Sequence, residues 1–328
     1  MPSFFSIDTN PTAHHLEVIL NFMLKLQGVS SKKSGEKMKK SFLYAATASL
    51  ILAAALTSCA SAPKENPTIP FEFIDANKQY HSANLDDTVS KHSYKNECFV
   101  REGEKLFYRG DDRYTSRLGV DISHHDGPVD WKKMKDWGIE FVILRTGYRG
   151  YQTGYLIQDK MFEQNIKEAI EADLDIGVYF FSQAITEEEA EEEAQMVLRL
   201  IEPHKKHITL PVVFDPESIL KDEARTDGVP GEVFTRTSIV FCEAVKKAGY
   251  KPMIYSNMIW EAFFFDMKKL EAYDFWYADY EKYPQTPYNF TLWQYTDTAE
   301  SVDGIRLDKK ITKPVDLNIL IVKVEENE

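Results

Sequence analysis

From Leu118 onward, short runs of β-branched and aromatic residues recur, with helix-length segments between the early ones, and this alternation restricts the fold more than any other feature of the chain. Strand–helix–strand repetition builds α/β folds, because each strand returns to the same sheet through a crossover. The runs predict strands over 118–123, 141–146, 176–182, 210–215, 252–256, 275–279, 292–296 and 315–320. About eight strands suit a barrel. Helices are expected over 130–137, 159–172, 186–201, 232–248 and 260–270. No helix separates the last strands, because Pro284 and Pro287 rule one out over 280–290. The expected fold is an irregular α/β, TIM-like (β/α) barrel of about eight strands and five helices, with helices missing around the last strands.

The helix over 186–201 carries acidic triplets at Glu187–Glu189 and Glu191–Glu193. They read as a solvated face and not as a metal site. Thr186 with Glu189 makes a capping box, early acids suit the helix dipole, and Ala190, Ala194, Val197, Leu198 and Ile201 form the apolar stripe.

Ahead of the barrel the composition changes. Residues 38–59 read MKKSFLYAATASLILAAALTSC: two lysines, an apolar stretch, then small residues before a cysteine. This is the layout of a secretory signal, too short in its apolar part for a membrane span. Leu56-Thr57-Ser58-Cys59 resembles the bacterial lipobox, which implies acylation of Cys59 and a tether to a membrane. On this reading Met38 is the natural start, residues 1–37 are not part of the protein, and 38–58 is the signal peptide. Residues 59–116 then form a flexible spacer and a small appendage, with a hairpin pattern running from Cys98-Phe99-Val100 to Leu106-Phe107-Tyr108. The barrel occupies 117–323.

A formal net charge of −13 argues against nucleic acid as a partner, since phosphates are neutralised chiefly by Lys and Arg. Cys59, Cys98 and Cys242 are too few and too scattered for a disulfide scaffold or a zinc knuckle. His124, His125 and Asp126 are adjacent and diverge, so no metal is expected there either.

The strand over 210–215 ends in Asp215-Pro216-Glu217, two carboxylates one residue apart and therefore on one face. In a parallel barrel they reach the C-terminal rim, where such folds keep their active sites. Each carboxylate raises the pKa of the other, which keeps a proton available for a glycosidic oxygen. A lone DxE is more often a pair of helix caps or loop acids. Asp121 ends the first strand at the same rim. Asp316 falls early in the last strand, so its position is open from pattern alone.

Several motifs in order carry a family resemblance. They are Asp121-Ile122-Ser123 with Gly127 and Trp131, Gly177-Val178-Tyr179-Phe180-Phe181, the DxE strand, and Ile254-Tyr255-Ser256. Trp276 to Tyr280, Trp293-Gln294-Tyr295-Thr296, Gly304-Ile305 and Val315-Asp316-Leu317-Asn318 continue the series. Over about 117–322 the chain resembles glycoside hydrolase family 25, lysozymes built on an irregular barrel. The resemblance implies Glu217 as general acid and base, with Asp215, Asp121 and Asp316 completing an acidic floor. It also implies that Tyr179, Phe181, Tyr255, Trp293 and Tyr295 line the sugar sites. The chain departs from the family at Arg145-Thr146-Gly147-Tyr148-Arg149-Gly150 and at Pro216, neither of which removes a carboxylate.

The implied reaction is hydrolysis of the β-1,4 bond between N-acetylmuramic acid and N-acetylglucosamine in peptidoglycan, with retention, by a cofactor-free monomer exported to a membrane surface. Two rivals remain: a chitinase-like N-acetylhexosaminidase, and a wall-binding lipoprotein without turnover.

Overall fold

In a computed structural model of the protein, residues 66–219, 221–305 and 314–324 are described. The signal, the proposed start at Met38 and Cys59 lie outside them. Thirteen strands are numbered in chain order: β1 Thr68–Ile74, β2 Tyr80–Asp86, β3 Phe99–Glu102, β4 Lys105–Tyr108, β5 Tyr114–Ile122, β6 Phe141–Arg149, β7 Leu156–Gln158, β8 Asp175–Ser182, β9 Ile208–Pro216, β10 Pro252–Asn257, β11 Asp274–Ala278, β12 Leu292–Ala299 and β13 Val315–Lys323. The helices are α1 Trp131–Trp137, α2 Phe162–Glu171, α3 Glu187–Ile201, α4 Gly231–Lys247, α5 Met258–Phe263 and α6 Met267–Leu270.

All eight expected barrel strands are present. Their order is β5-β13-β12-β11-β10-β9-β8-β6, closed by a parallel β5–β6 pairing, with β7 added antiparallel to β6. Pairing is parallel from β5 through β6 to β12, and β13 runs antiparallel to both its neighbours. The reversal of β13 decides the position of Asp316. Because that strand starts at the end where β5 finishes, Asp316 pairs in register with Asp121.

Alternation divides every barrel strand into an inner and an outer face. Phe141, Ile143, Tyr179, Val213, Met253, Tyr255, Trp276, Ala278 and Leu292 pack inside the barrel. Inner positions 119 and 177 are glycines because the space is taken: a Cβ on Gly119 would lie 2.3 Å from the Phe141 ring, and one on Gly177 would lie 2.6 Å from Ile143 Cδ1. The closed interior is thus filled with side chains and is not a pore.

Outside, α1 to α4 cover the early strands. The α3 N-cap forms, with Thr186 Oγ1 accepting from Glu189 N, but the expected capping box does not close, because Glu189 Oε2 accepts from Ile185 N, one residue before the cap. The acidic face is less solvated than its composition suggests. Glu193 is buried, accepts from Arg149 Nε at 2.7 Å and from Ser182 Oγ at 2.6 Å, and its carboxyl is pushed up to about 7 by burial. Glu189 pairs with Arg225 at 2.5 Å. The expected helix over 260–270 is instead two short ones, α5 and α6, separated at Phe264–Asp266.

Around β11 to β13, where no helix stands among the described residues, residues 66–113 supply the cover. They belong to the same compact unit as the barrel and form two antiparallel hairpins, β1–β2 and β3–β4. Phe99 meets the Trp293 ring edge-on at 5.1 Å, Tyr295 Oη donates to the Glu104 carbonyl at 3.0 Å, and Tyr94 Oη donates to the Phe290 carbonyl at 2.6 Å. The β3–β4 hairpin was expected from its pattern, whereas β1–β2 was not. Cys98 and Cys242 are both buried free thiols.

Candidate active site

At the end of the barrel where β5, β9 and β11 finish and β13 begins, the inward residues change from apolar to polar. Asp215 is the last inward residue of β9, beside Phe181 on β8. It is 4 % exposed, and its Oδ1 has no hydrogen-bond partner. Burial pushes its carboxyl well above the usual range, the Glu217 and Asp121 charges push it further, and Arg145 opposes them. Glu217 follows on the turn after β9, half-buried. Its carbonyl accepts from Gln183 Nε2 at 2.6 Å, and Gln183 Oε1 accepts from Thr226 at 3.1 Å, so the turn containing Pro216 is tied to the neighbouring strand end.

Asp121 is held by two carboxamides. Gln294 Nε2 and Asn318 Nδ2 both donate to its Oδ2, at 2.9 and 2.8 Å. Each amide is oriented in turn by aromatic donors. Tyr255 and Tyr280 hydroxyls donate to Gln294 Oε1 at 3.1 and 2.9 Å, and Trp276 Nε1 donates to Asn318 Oδ1 at 2.8 Å. Beneath them Trp276 stands edge-on between Tyr179 and Tyr255, with centroids 5.7 and 4.9 Å apart. Burial, with nearby carboxylates, raises the Tyr179, Tyr255 and Tyr280 phenols well above their ordinary value, so they remain donors.

Asp121, Asp215, Glu217, Asp316, Tyr179, Phe181 and Tyr255 thus converge on one rim. Trp293 and Tyr295 do not. They lie on the outer face of β12, fully covered by the N-terminal hairpin, and Trp293 Nε1 donates to the Asp279 carbonyl at 2.9 Å. The inward residues of that strand are Leu292 and Gln294. β12 is buried on both faces, so either parity looks like a core face in sequence. Gln294, Asn318, Tyr280, Trp276 and Arg145 were not expected at the site, and all but Arg145 fall inside motifs already noted. A polar amide inside an apolar strand was the available signal for Gln294 and Asn318.

Arg145, in the part of β6 that departs from the family, has Nε and Nη2 on Asp159 Oδ2, both at 2.8 Å, and Nη2 lies 2.7 Å from His124 Nδ1. It is the buried cation beside the acidic floor. Arg149, at the end of the same strand, is pinned by Glu193 and by the Gly154 and Glu189 carbonyls.

The model of glycosyl hydrolases family 25 matches residues 120–305. This chain belongs to that family. No relative is detected among curated proteins. Among solved structures, the modular autolysin LytC from Streptococcus pneumoniae is 23 % identical with a TM-score of 0.54, over 76 % of this chain and 56 % of its own. The spore cortex lytic enzyme SleM from Clostridium perfringens is 22 % identical with a TM-score of 0.53, over 62 % of this chain and 67 % of its own. A family 25 glycosyl hydrolase from Bacillus anthracis is 21 % identical with a TM-score of 0.50, over 70 % and 96 %. These likenesses establish the family 25 barrel, and the chain spans little more than half the length of the pneumococcal autolysin. The family match begins at Val120, so both N-terminal hairpins lie outside it.

Proposed function

We propose that this family 25 protein cleaves the β-1,4 bond between N-acetylmuramic acid and N-acetylglucosamine in peptidoglycan. The observation that carries the reading is Asp215: a buried carboxyl with one oxygen unpartnered, beside Glu217, at the open end of the barrel. Support for the substrate comes from the pneumococcal autolysin of the same fold, which has been solved with a synthetic peptidoglycan ligand.

In the free cleft burial raises the Asp215 carboxyl well above its usual range, with the Glu217 and Asp121 charges adding to it. An arriving acetamido N–H donating to Oδ1 favours ionised Asp215, and Glu217 carries the proton for the reaction. Glu217 gives it to the leaving glycosidic oxygen as that C–O bond breaks, while the substrate's acetamido oxygen attacks the anomeric carbon. Water, deprotonated by Glu217, then opens the resulting ring, and two inversions leave the configuration retained. Asp121, fixed by Gln294 and Asn318, adds negative charge near the developing oxocarbenium ion.

The test is release of reducing muramic ends from purified peptidoglycan by a soluble form starting after Cys59, beside Glu217→Gln. Activity in the parent with a loss of about a thousandfold or more in the variant is expected. Reducing glucosamine ends would reassign the bond, and binding without turnover would replace the enzyme by a wall-binding protein. Export and lipid attachment at Cys59 complete the proposal. They are tested by incorporation of labelled palmitate, which Cys59→Ala should abolish.

A further inference from the structure

The sheet does not end where the barrel closes. β5 pairs with β6 only as far as Ile122 and Leu144, and past that point β7 takes the same edge of β6, so the order β9-β8-β6-β7 continues beyond the rim. One row of side chains crosses these four strands in register: Asp215 on β9, Phe181 on β8, Tyr148 on β6 and Ile157 on β7. A register shift between Arg145 and Gly147 leaves Tyr148 on the inner face with Arg145, whose guanidinium carbon lies 5.4 Å from the centre of the tyrosine ring. The adjacent Arg149 points the other way, to Glu193 on α3. The row thus starts at the buried carboxyl of the candidate site and runs outward along one wall of the cleft.

The far end of the row is apolar and bare. Phe181 and Tyr148 are half-buried, Ile157 is 38 % exposed, and Tyr155, two residues before Ile157 and so on its face, is 73 % exposed. Edge strands are ordinarily guarded by charged residues, whereas β7 presents an isoleucine to solvent. The wall is also fixed to the catalytic turn. Asp222 accepts from Tyr151 Oη and Gln152 Nε2 at 2.9 and 3.0 Å, and Arg225 N donates to the Tyr151 carbonyl at 2.8 Å, which joins the β6–β7 turn to the loop after Glu217.

We infer that Tyr148, Ile157 and Tyr155 carry the glycan strand beyond the cleavage point, with the Tyr148 ring stacking on the sugar next to the one held at Asp215 and Glu217, and Ile157 and Tyr155 receiving the sugar after it. Neighbouring strands lie about 4.8 Å apart, so Tyr148 stands about 10 Å and Ile157 about 14 Å along the row from Asp215, within reach of successive sugars of one chain. Aromatic and aliphatic side chains suit the apolar faces of pyranose rings and the methyls of N-acetyl groups. The row begins at the carboxyls that hold the scissile bond, and the glycan, unlike a stem peptide, runs through that bond. This rests on the glycan-hydrolase reading of the cleft, and Tyr148 belongs to the stretch in which the chain departs from the family.

The experiment compares the parent with Tyr148→Ala, Tyr148→Phe and Ile157→Ser on peptide-free peptidoglycan oligosaccharides of increasing length, with Tyr80→Ala, a bare aromatic on a different sheet, as control. The ratio of kcat/KM for the longest to that for the shortest should fall about tenfold in Tyr148→Ala and less in Ile157→Ser, through KM, while Tyr148→Phe, which keeps the ring, recovers most of the loss and Tyr80→Ala shows none. Ile157 is exposed, so its variant decides the matter even where Tyr148→Ala fails to fold. The same oligosaccharides titrated calorimetrically into the Glu217→Gln protein, with and without each change, should show the same length-dependent loss of affinity. An inactive parent would defeat the hydrolase reading, and the titration would still decide the subsites. Equal losses at every length, no loss at any, or an equal loss in Tyr80→Ala would overturn the inference. So would a loss seen only when stem peptides are left on the sugars, which would give the row to the peptide.

Discussion

The early and late strands of this barrel solve the same problem with different material. Strands β5 to β10 bury their outer faces under helices that follow them in the chain. Between β11 and β12 the proline-bearing segment 279–291 holds no helix, and the outer faces of β11 to β13 are covered by residues 66–113, which precede the barrel. A sheet buried on both sides needs apolar cover wherever the chain can supply it. The appendage therefore covers the late strands, and the aromatics of β12 belong to its joint with the barrel.

The sharpest way to break this comparison is Trp293→Ala. The side chain is 0 % exposed, packs against Phe99 and donates to the Asp279 carbonyl, so its removal should cost about 3–5 kcal/mol of stability. The folded fraction should keep the parent's KM. Denaturant unfolding alongside substrate kinetics reads both. A raised KM at unchanged stability would return Trp293 to the sugar site and undo the division of faces.

The helical cover also buries two glutamates raised to about 7 by desolvation, and the two differ in company. Glu193 on α3 has Arg149, whereas Glu261 on α5, where the helical cover meets the late strands, is held by hydroxyls: Ser256 Oγ at 2.8 Å and Thr286 Oγ1. A carboxyl with a folded pKa above its unfolded value binds its proton more tightly when folded. Its contribution is thus fully present below about 4.5 and lost as pH rises through about 7. Glu261→Gln, which keeps the hydroxyl partners, should flatten the fall of unfolding free energy between those values by up to about 3 kcal/mol. Glu193→Gln should flatten the fall as well and in addition loosen the hold on Arg149 above about 7, although Arg149 keeps Glu192 and the Gly154 and Glu189 carbonyls. Denaturation midpoints at pH 4.5 and 7 for the two variants decide it, and equal slopes in parent and Glu261→Gln would remove Glu261 as the cause.

Much of the barrel was legible because strand length and β-branched runs mark each strand independently of its partners. The DxE was equally legible, since two residues apart on a strand means one face. Asp316 was not placed by pattern, because its position depends on the antiparallel direction of β13, a property of pairing and not of the strand's own residues. Trp293 and Tyr295 were misread for a related reason. In Leu292-Trp293-Gln294-Tyr295 both parities carry large side chains, and only the hairpin contributed by 99–108 shows which parity faces out. The buried Glu193 was hidden likewise, because its cation, Arg149, comes from β6 and not from its own helix.

The smallest effect tests the opposite face of the same strand. Gln294 is set so that two tyrosine hydroxyls occupy its oxygen and its nitrogen points at Asp121. Gln294→Leu keeps much of the volume, leaves Asn318 as the remaining amide on Asp121 Oδ2, and strips two phenols of their acceptor. The expected loss is about 1–2 kcal/mol in kcat/KM, roughly five- to thirtyfold, carried by kcat because Asp121 acts on charge that develops only during reaction. Stability should fall by less than in Trp293→Ala, since a leucine still fills the site. Gln294→Glu sharpens the reading: it sets a carboxylate against Asp121, and the like charge should raise the pKa of the acidic cluster and move the alkaline limb of the pH–rate profile upward. An unmoved limb with normal kcat would mean that Asp121 does not depend on its amide partners, and the inner face of β12 would be as structural as its outer one.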